Sequence, residues 1–421
     1  MARRHLIIGG GTAGINAIRA LREEESEKSE ITLVSAEKPY SRMVLPYYLD
    51  RSIAESHVYT ATARVLADWG VKPHLGRKAA ALDVKASVCT LDDGTKVEYD
   101  DCLIATGSSP VKAPVPGADG RAVHSFWTFD EARAVVAEIT PGSHVVMVSA
   151  GFIAFTILNS ILALGAKLTI VEVAPRILPR MIDDTGAGLV ETWLKQHGVA
   201  IRTGVKLTKI ADAKGRKQLK FASGADLVCD VVIMATGIKT NLDWLKGSGV
   251  MINRGVVVDD HLRSSVPNVY AAGDIAEGRD RVTGEPAVHA IEPTAKEHGR
   301  IAGANMAGKD VRYRGSLIIN IGKLHRQRLA RQSQRLRERQ PIALELAQAD
   351  DLLLGAQYGK LGFPIVINIR RRQAHNICKG WKPHRLSQPQ PFDLPVENHL
   401  RSARVAYRHV GRPITVEIAD H

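Results

Sequence analysis

The chain has 421 residues, too many for one ordinary core and enough for two or three domains. Hydrophobic residues make up 45% and charged residues 24%, a globular balance, and no uninterrupted apolar run approaches the roughly 18–20 residues that cross a bilayer. The net charge of +13 is uneven: residues 324–421 hold 17 Lys+Arg against 8 Asp+Glu, so an argument from charge to nucleic acid concerns that quarter alone.

The opening "MARRHLIIGGG" passes from two arginines into a short apolar run and a glycine cluster, without the long apolar region of a signal peptide. A cytoplasmic location is therefore expected. "HLIIGGGTAGINAIRALRE" predicts a strand, a glycine turn and an amphipathic helix, and "ITLVSAE" predicts the next strand. Gly9, Gly11 and Gly14 have the spacing of a dinucleotide loop: the first allows a tight turn, the second a close pyrophosphate, the third close packing of helix on strand. Thr12 and Ala13 complete the loop where the helix N-terminus offers its N–H groups to phosphate. Glu37, 23 residues beyond Gly14, is placed to take ribose hydroxyls.

Further on, "DDCLIATGSSP" predicts a strand entering a turn at Ala105-Thr106-Gly107. After a Pro/Gly-rich crossing at 110–120, the plan repeats in "HVVMVSAGFIAFTILNSILALGA" and "KLTIVEV". Its loop is less regular: Ser149 stands at the first glycine position, followed by Gly151, Phe152, Ile153 and Ala154. Glu172 ends the next strand; a carboxylate there accepts a free 2′-hydroxyl and repels a 2′-phosphate, which favours NADH. Arg176 nearby keeps NADPH as the alternative. "CDVVIMATGIKTN" then places Thr236 and Gly237 at a matching turn, and "VPNVYAAGDIAEG" adds a third strand and turn with Gly273 and Asp274.

The expected fold is α/β, with two Rossmann-like domains, the second inserted in the first. The FAD-binding domain is placed at 1–115 and 245–323, the NAD(P)-binding domain at 120–240, and an atypical basic region at 324–421. The four cysteines, Cys89, Cys102, Cys229 and Cys378, form no Cys-x-x-Cys and no zinc-like cluster, so neither a disulfide framework nor a metal site is expected.

In this order "HLIIGGGTAG", "CLIATGSSP", the second loop, "VVIMATG" and "VPNVYAAGD" resemble the FAD/NAD(P)-dependent pyridine-nucleotide oxidoreductases. That family includes disulfide reductases, rubredoxin and ferredoxin reductases, NADH oxidases and the NADH-oxidising part of nitrite reductase large subunits. The resemblance covers about residues 4–323. It implies FAD and NADH as cofactors, with Asp274 on the FAD ribityl chain and Ala105-Thr106-Gly107 lining the FAD side. It also implies that "HAIEPTAKEHGRIAGANMAG" is the last helix of that domain, with Thr294 and Ala295 facing the flavin pyrimidine edge. Arg42, in "Pro-Tyr-x-Arg", would neutralise FAD phosphate or a substrate anion. Many members carry Glu where this chain has Thr156.

Related enzymes with a single redox cysteine carry it in a segment like "ANCGLPYY"; this chain has "SRMVLPYY", with Met43 in the thiol's place. A thioether forms no thiolate, so disulfide reduction is not expected. The expected activity is hydride transfer from NADH to flavin, with electrons passing to a small acidic electron-transfer protein such as a ferredoxin, rubredoxin or iron–sulfur partner, or alternatively to a small-molecule acceptor, oxygen or a quinone. No acid–base side chain is needed for the reductive half. Family members usually end in a dimerisation or interface domain, which leaves a homodimer open. Here that place holds "LHRQRLARQSQRLRERQ", then "RRR" at 370–372, with few interleaved aromatics, so nucleic acid is a poor fit. The alternative reading is a non-enzymatic, FAD-containing, redox-responsive binding protein that uses this basic tail.

Overall fold

The computed structural model describes residues 2–25 and 28–317, together with the backbone of Ile319–His325, Asp351–Gln357, Arg401–Val405 and Ile414–Ile418. The chain divides into two compact units, Met1–Ile318 and Ile319–His421. In the second, Ile319–His325 pairs antiparallel with Asp351–Gln357, and Arg401–Val405 with Ile414–Ile418. The arginine-rich run, the 370–372 cluster and Cys378 lie outside the described residues.

The first unit holds the two parallel sheets that the sequence predicts. The first begins with β1 (Arg4–Ile8), the helix α1 (Thr12–Glu25) and β2 (Glu30–Ser35). β3 (Val71–Leu75) and β4 (Asp101–Ile104) follow, and a strand at Val269–Ala271 closes the far edge. The spatial order is Val269–Ala271, β4, β1, β2, β3, all parallel. Alternation along β1 sends Ile7 to one face, with Ile15, Ile18, Leu21 and Leu103, and Leu6 and Ile8 to the other, with Val34, Tyr99 and Ile104. Both faces are covered, which is why "HLII" reads as an unbroken apolar run.

The chain leaves this sheet through β5 (Ser108–Pro110) and builds the second from β6 (Val123–His124), β7 (His144–Val148), β8 (Lys167–Val171), β9 (Ala200–Arg202) and β10 (Val231–Met234). Their order is β6-β10-β7-β8-β9, again parallel and equivalent strand for strand to the first sheet. The correspondence extends to an insertion that the sequence did not reveal. A three-stranded antiparallel meander precedes the return strand in both halves, at Ala79–Glu98 and at Leu207–Cys229. Only the fifth strand differs, coming last in the first sheet and first in the second.

The helices that matter for the site are α2 (Leu45–Leu49), α3 (Phe129–Glu138), α4 (Phe152–Ala163), α5 (Asp184–Gln196) and α6 (Glu292–Met306). α6 packs on α1 through glycine: a Cβ on Gly299 would lie 2.1 Å from the Ala13 carbonyl oxygen, and one on Gly303 2.4 Å from that of Ala17. The two backbones therefore touch. No helix among the described residues is long and apolar enough to cross a membrane.

Candidate dinucleotide sites

The first glycine loop separates what the chain needs from what a ligand would need. Gly9 has φ +117°, and a Cβ there would lie 2.1 Å from the Ala105 carbonyl oxygen; a Cβ on Gly14 would lie 1.9 Å from that of Gly9. Both are fixed by the fold itself. Gly11 has nothing within 4 Å of its Cβ position, so its open side is what a pyrophosphate approaching the N-terminus of α1 would use. Thr12 opens the helix, and Ala13 is buried in the α6 seam. Glu37 is half-buried and accepts from the Tyr40 hydroxyl at 3.0 Å.

Sequence-distant residues converge beside this loop. The Arg42 Nε donates to the Trp127 carbonyl at 3.0 Å, its guanidinium stacks 5.0 Å from the Trp127 ring, and one nitrogen lies 3.8 Å from the Cβ position of Gly107. The Trp127 indole donates to the Ser108 carbonyl at 2.8 Å, and the Ser108 hydroxyl donates to Asp274 Oδ2 at 2.6 Å. Arg42, Gly107 and Asp274 are thus linked through Trp127 and Ser108, neither of which the motifs singled out. Gly273, at φ +78°, has a Cβ position 3.1 Å from Ala13 Cβ and 3.6 Å from Ala295 Cβ, which closes the ring of contacts. Its N–H donates to His298 Nδ1 at 3.3 Å; burial holds that imidazole neutral, its pKa lowered to about 3.

The first turn of α6 carries Thr294 and Ala295, whose side chains both pack inward. Thr294 is buried and its hydroxyl donates to Ser316 Oγ at 2.9 Å, while the Ala295 N–H donates to the Ile291 carbonyl and its methyl lies in the α1 seam. What the first turn of α6 can present is backbone.

The second loop has the same backbone with different side chains. Ser149 N donates to the Val171 carbonyl at 2.8 Å, as Gly9 N donates to that of Val34 at 2.8 Å. This register makes Ser35 the counterpart of Glu172, and Ala174 that of Glu37. Ser35 Oγ accepts from Gly10 N at 3.1 Å; correspondingly, Glu172 Oε2 accepts from Ala150 N at 2.6 Å and from the Ser149 hydroxyl at 3.3 Å, and Oε1 from Ala174 N at 2.9 Å. Glu172 is 6% exposed. It stands at the strand end as expected, but Oε2 is taken by the loop and Oε1 by its own chain two residues on, so it is no structural twin of Glu37. Arg176 is paired with Asp184 at 2.7 Å. Gly151 caps α4, with Phe152 and Ile153 half-buried behind it and the Thr156 hydroxyl returned to the Ile153 carbonyl at 2.7 Å.

Ser149 sits at φ +86°, a conformation that side chains rarely adopt. Ser149→Gly is expected to stabilise the protein by about 0.5–1 kcal/mol, relief of strain outweighing the long hydroxyl contact to Glu172. Thermal unfolding measures it; a lower Tm for the glycine variant would show that the Glu172 contact dominates.

The second Ala-Thr-Gly turn meets the chain just beyond β5. Thr236 donates its hydroxyl to the Val111 carbonyl, Gly237 has φ +114°, and Val111 N donates to the Gly237 carbonyl at 2.9 Å. Met43 is 57% exposed on the turn Arg42–Val44, beside Tyr47 at 58%. Cys89, Cys102 and Cys229 are buried, free thiols; burial pushes Cys89 and Cys229 up to about 12, and Cys102 upward as well. Among the described residues no group of His, Cys, Asp and Glu is gathered to hold a metal ion.

Residues 3–294 match the family described as pyridine nucleotide-disulphide oxidoreductase. The chain is 32% identical over 323 residues to the NADH-dependent phenylglyoxylate dehydrogenase subunit epsilon of Aromatoleum evansii, covering 75% of this chain and 76% of that one. It is 29% identical over 279 residues to a rubredoxin-NAD(+) reductase of Pseudomonas putida, covering 65% and 72%. Among solved structures, a ferredoxin reductase of Rhodopseudomonas palustris superposes with a TM-score of 0.71 at 24% identity, over 76% of this chain and 82% of that one. With its paired sheets, its two strand–loop–helix units and this match over most of its length, the chain belongs to the pyridine nucleotide-disulphide oxidoreductase family.

Proposed function

We propose that the protein is an FAD-dependent NADH oxidoreductase that passes electrons to a small iron–sulfur or rubredoxin-like protein without a redox-active disulfide. The observation that carries this reading is the convergence of Gly11, the Ala105-Gly107 turn, Arg42 and Asp274 on one side, with the half that holds the Ser149–Ile153 loop joined to it through the paired segments Ser108–Pro110 and Ile238–Thr240. When bound, FAD supplies a two-electron acceptor for the hydride of NADH.

The chain's own residues bind and orient. The open side of Gly11 and the α1 N-terminus, with no acidic residue in its first turn, receive the FAD pyrophosphate. Glu37 takes ribose hydroxyls, Arg42 adds positive charge, and Asp274, fixed by Ser108, accepts hydroxyl protons of the ribityl chain. Glu172 acts in two ways: it holds the Ser149–Ala150 turn open to the coenzyme, and its charge opposes a 2′-phosphate, which supports NADH over NADPH. The relatives' printed names support NADH and a rubredoxin-type acceptor. The FAD-binding part is proposed as 1–115 with 245–323, since Val269–Ala271 completes the first sheet, and the NADH-binding part as 120–240. The exposed thioether of Met43, and three buried thiols that stay protonated, support direct transfer to an external acceptor.

The purified protein is expected to be yellow, and NADH added without oxygen is expected to bleach its visible flavin band. Colourless protein, or bound flavin that NADH leaves oxidised, overturns the proposal.

A further inference from the structure

The geometry points to Asn241 as a positioning residue that sets the coenzyme loop against the flavin loop; this rests on the function proposed above. The chain leaves the first sheet through β5 and returns through β11 (Ile238–Thr240), and the two pair antiparallel, Ser108 opposite Thr240 and Pro110 opposite Ile238. Three residues a side make a marginal ribbon, too short to hold its own register.

Asn241 follows at once and uses every polar group it has. Its Nδ2 donates to the Thr106 carbonyl at 2.8 Å, and its Oδ1 accepts from the Ser109 hydroxyl at 2.7 Å. Its backbone N–H donates to the Gly107 carbonyl at 3.0 Å, and its carbonyl accepts, at 3.5 Å, from the Thr106 hydroxyl. One residue of the returning strand thus grips both sides of the Gly107–Ser108 step. Gly107 is left-handed at φ +66°, and Ser108 is the residue that donates to Asp274. Immediately beyond Asn241, Leu242, Trp244 and Leu245 enter the first core, which makes it the last point at which the inserted half is registered before the chain is anchored.

Hydride transfer depends on a near-contact geometry in which about 1 Å of misplacement can cost roughly 10²-fold. Asn241 touches neither cofactor site with a free group, so its effect is on the spacing of two sites rather than on either affinity.

The test uses the full chain with Asn241→Ala and Asn241→Asp. Both are expected to keep the wild-type FAD stoichiometry and NADH affinity, while the anaerobic rate of flavin reduction falls roughly 10- to 100-fold in the alanine variant. Asn241→Asp keeps the acceptor for Ser109 but loses the donor to Thr106, and is expected to fall most of that way. In flavin-free protein, both variants are expected to be cut faster by protease within residues 111–120, a readout that needs no turnover. An unchanged reduction rate in Asn241→Ala overturns the inference. So does a rate that falls only in proportion to lost FAD, which is the mark of a merely structural role. If the wild type itself is not reduced by NADH, the proposed function fails and this inference falls with it.

Discussion

Gly299→Ala is expected to destabilise the first unit by about 3 kcal/mol and to release its flavin, the upper range for overpacking a close contact. The added methyl would lie 2.1 Å from the Ala13 carbonyl oxygen and 2.9 Å from its carbon, and these atoms are backbone. A flexible side chain could swing aside; a helix backbone moves only with its helix. α1 would have to separate from α6, and its N-terminus is the proposed phosphate site. The control is Gly188→Ala in α5, where nothing lies within 4 Å of the new Cβ. There the higher helix propensity of alanine is expected to add up to about 1 kcal/mol. The same substitution should thus have opposite signs in two helices. Urea unfolding of both variants measures it, and a Gly299→Ala protein as stable as wild type would remove the argument from close approach.

Gly11→Ala is expected to do the reverse: fold normally and lose FAD. Gly11 has no left-handed φ and no atom within 4 Å of its Cβ position, so the flavin-free variant should unfold within about 2 °C of wild type. A methyl on that open side would hold a pyrophosphate off the helix N-terminus. Loss of one charge-assisted hydrogen bond, on the order of 1.5–3 kcal/mol, corresponds to roughly 10- to 100-fold weaker FAD binding. Flavin release followed by fluorescence gives the affinity. Undiminished binding would mean that the phosphate lies elsewhere, whatever the stability shows.

Gly9 and Gly14 were legible because steric demand fixes residue type and spacing together. The sequence announces the loop, and the neighbouring apolar runs announce the parallel strands on either side. Gly299 and Gly303 carried no such signal, since glycine inside a helix reads only as weak propensity until the opposing backbone is known. Glu172 shows a different limit. Counted from its loop it looks like an acid for ribose, as Glu37 does, but only the backbone bonds from Ser149 to Val171 and from Gly9 to Val34 reveal that it occupies the place of Ser35. Trp127 and Ser108 were silent for a third reason: Asp274 lies 166 residues from Ser108, and no local pattern marks a pair so far apart. Thr294 was placed at the start of its helix by analogy alone, and its side-chain bond to Ser316, 22 residues away, carried no sequence signal.

The pairing of Pro110 with Ile238 has an evolutionary reading. A segment whose two ends are hydrogen-bonded neighbours is a cassette: it can be exchanged, duplicated or deleted without stretching the host chain across a gap. The strand-for-strand likeness of the two sheets, meander included, is what an internal duplication followed by insertion of one copy into the other would leave behind. On that history the host copy kept glycine at Gly9, while the guest replaced it with Ser149. The half with Ser149, proposed above to bind the coenzyme, is then the one free to drift, and the one that could be swapped between relatives to change the electron donor while the half proposed to hold FAD stays as it is.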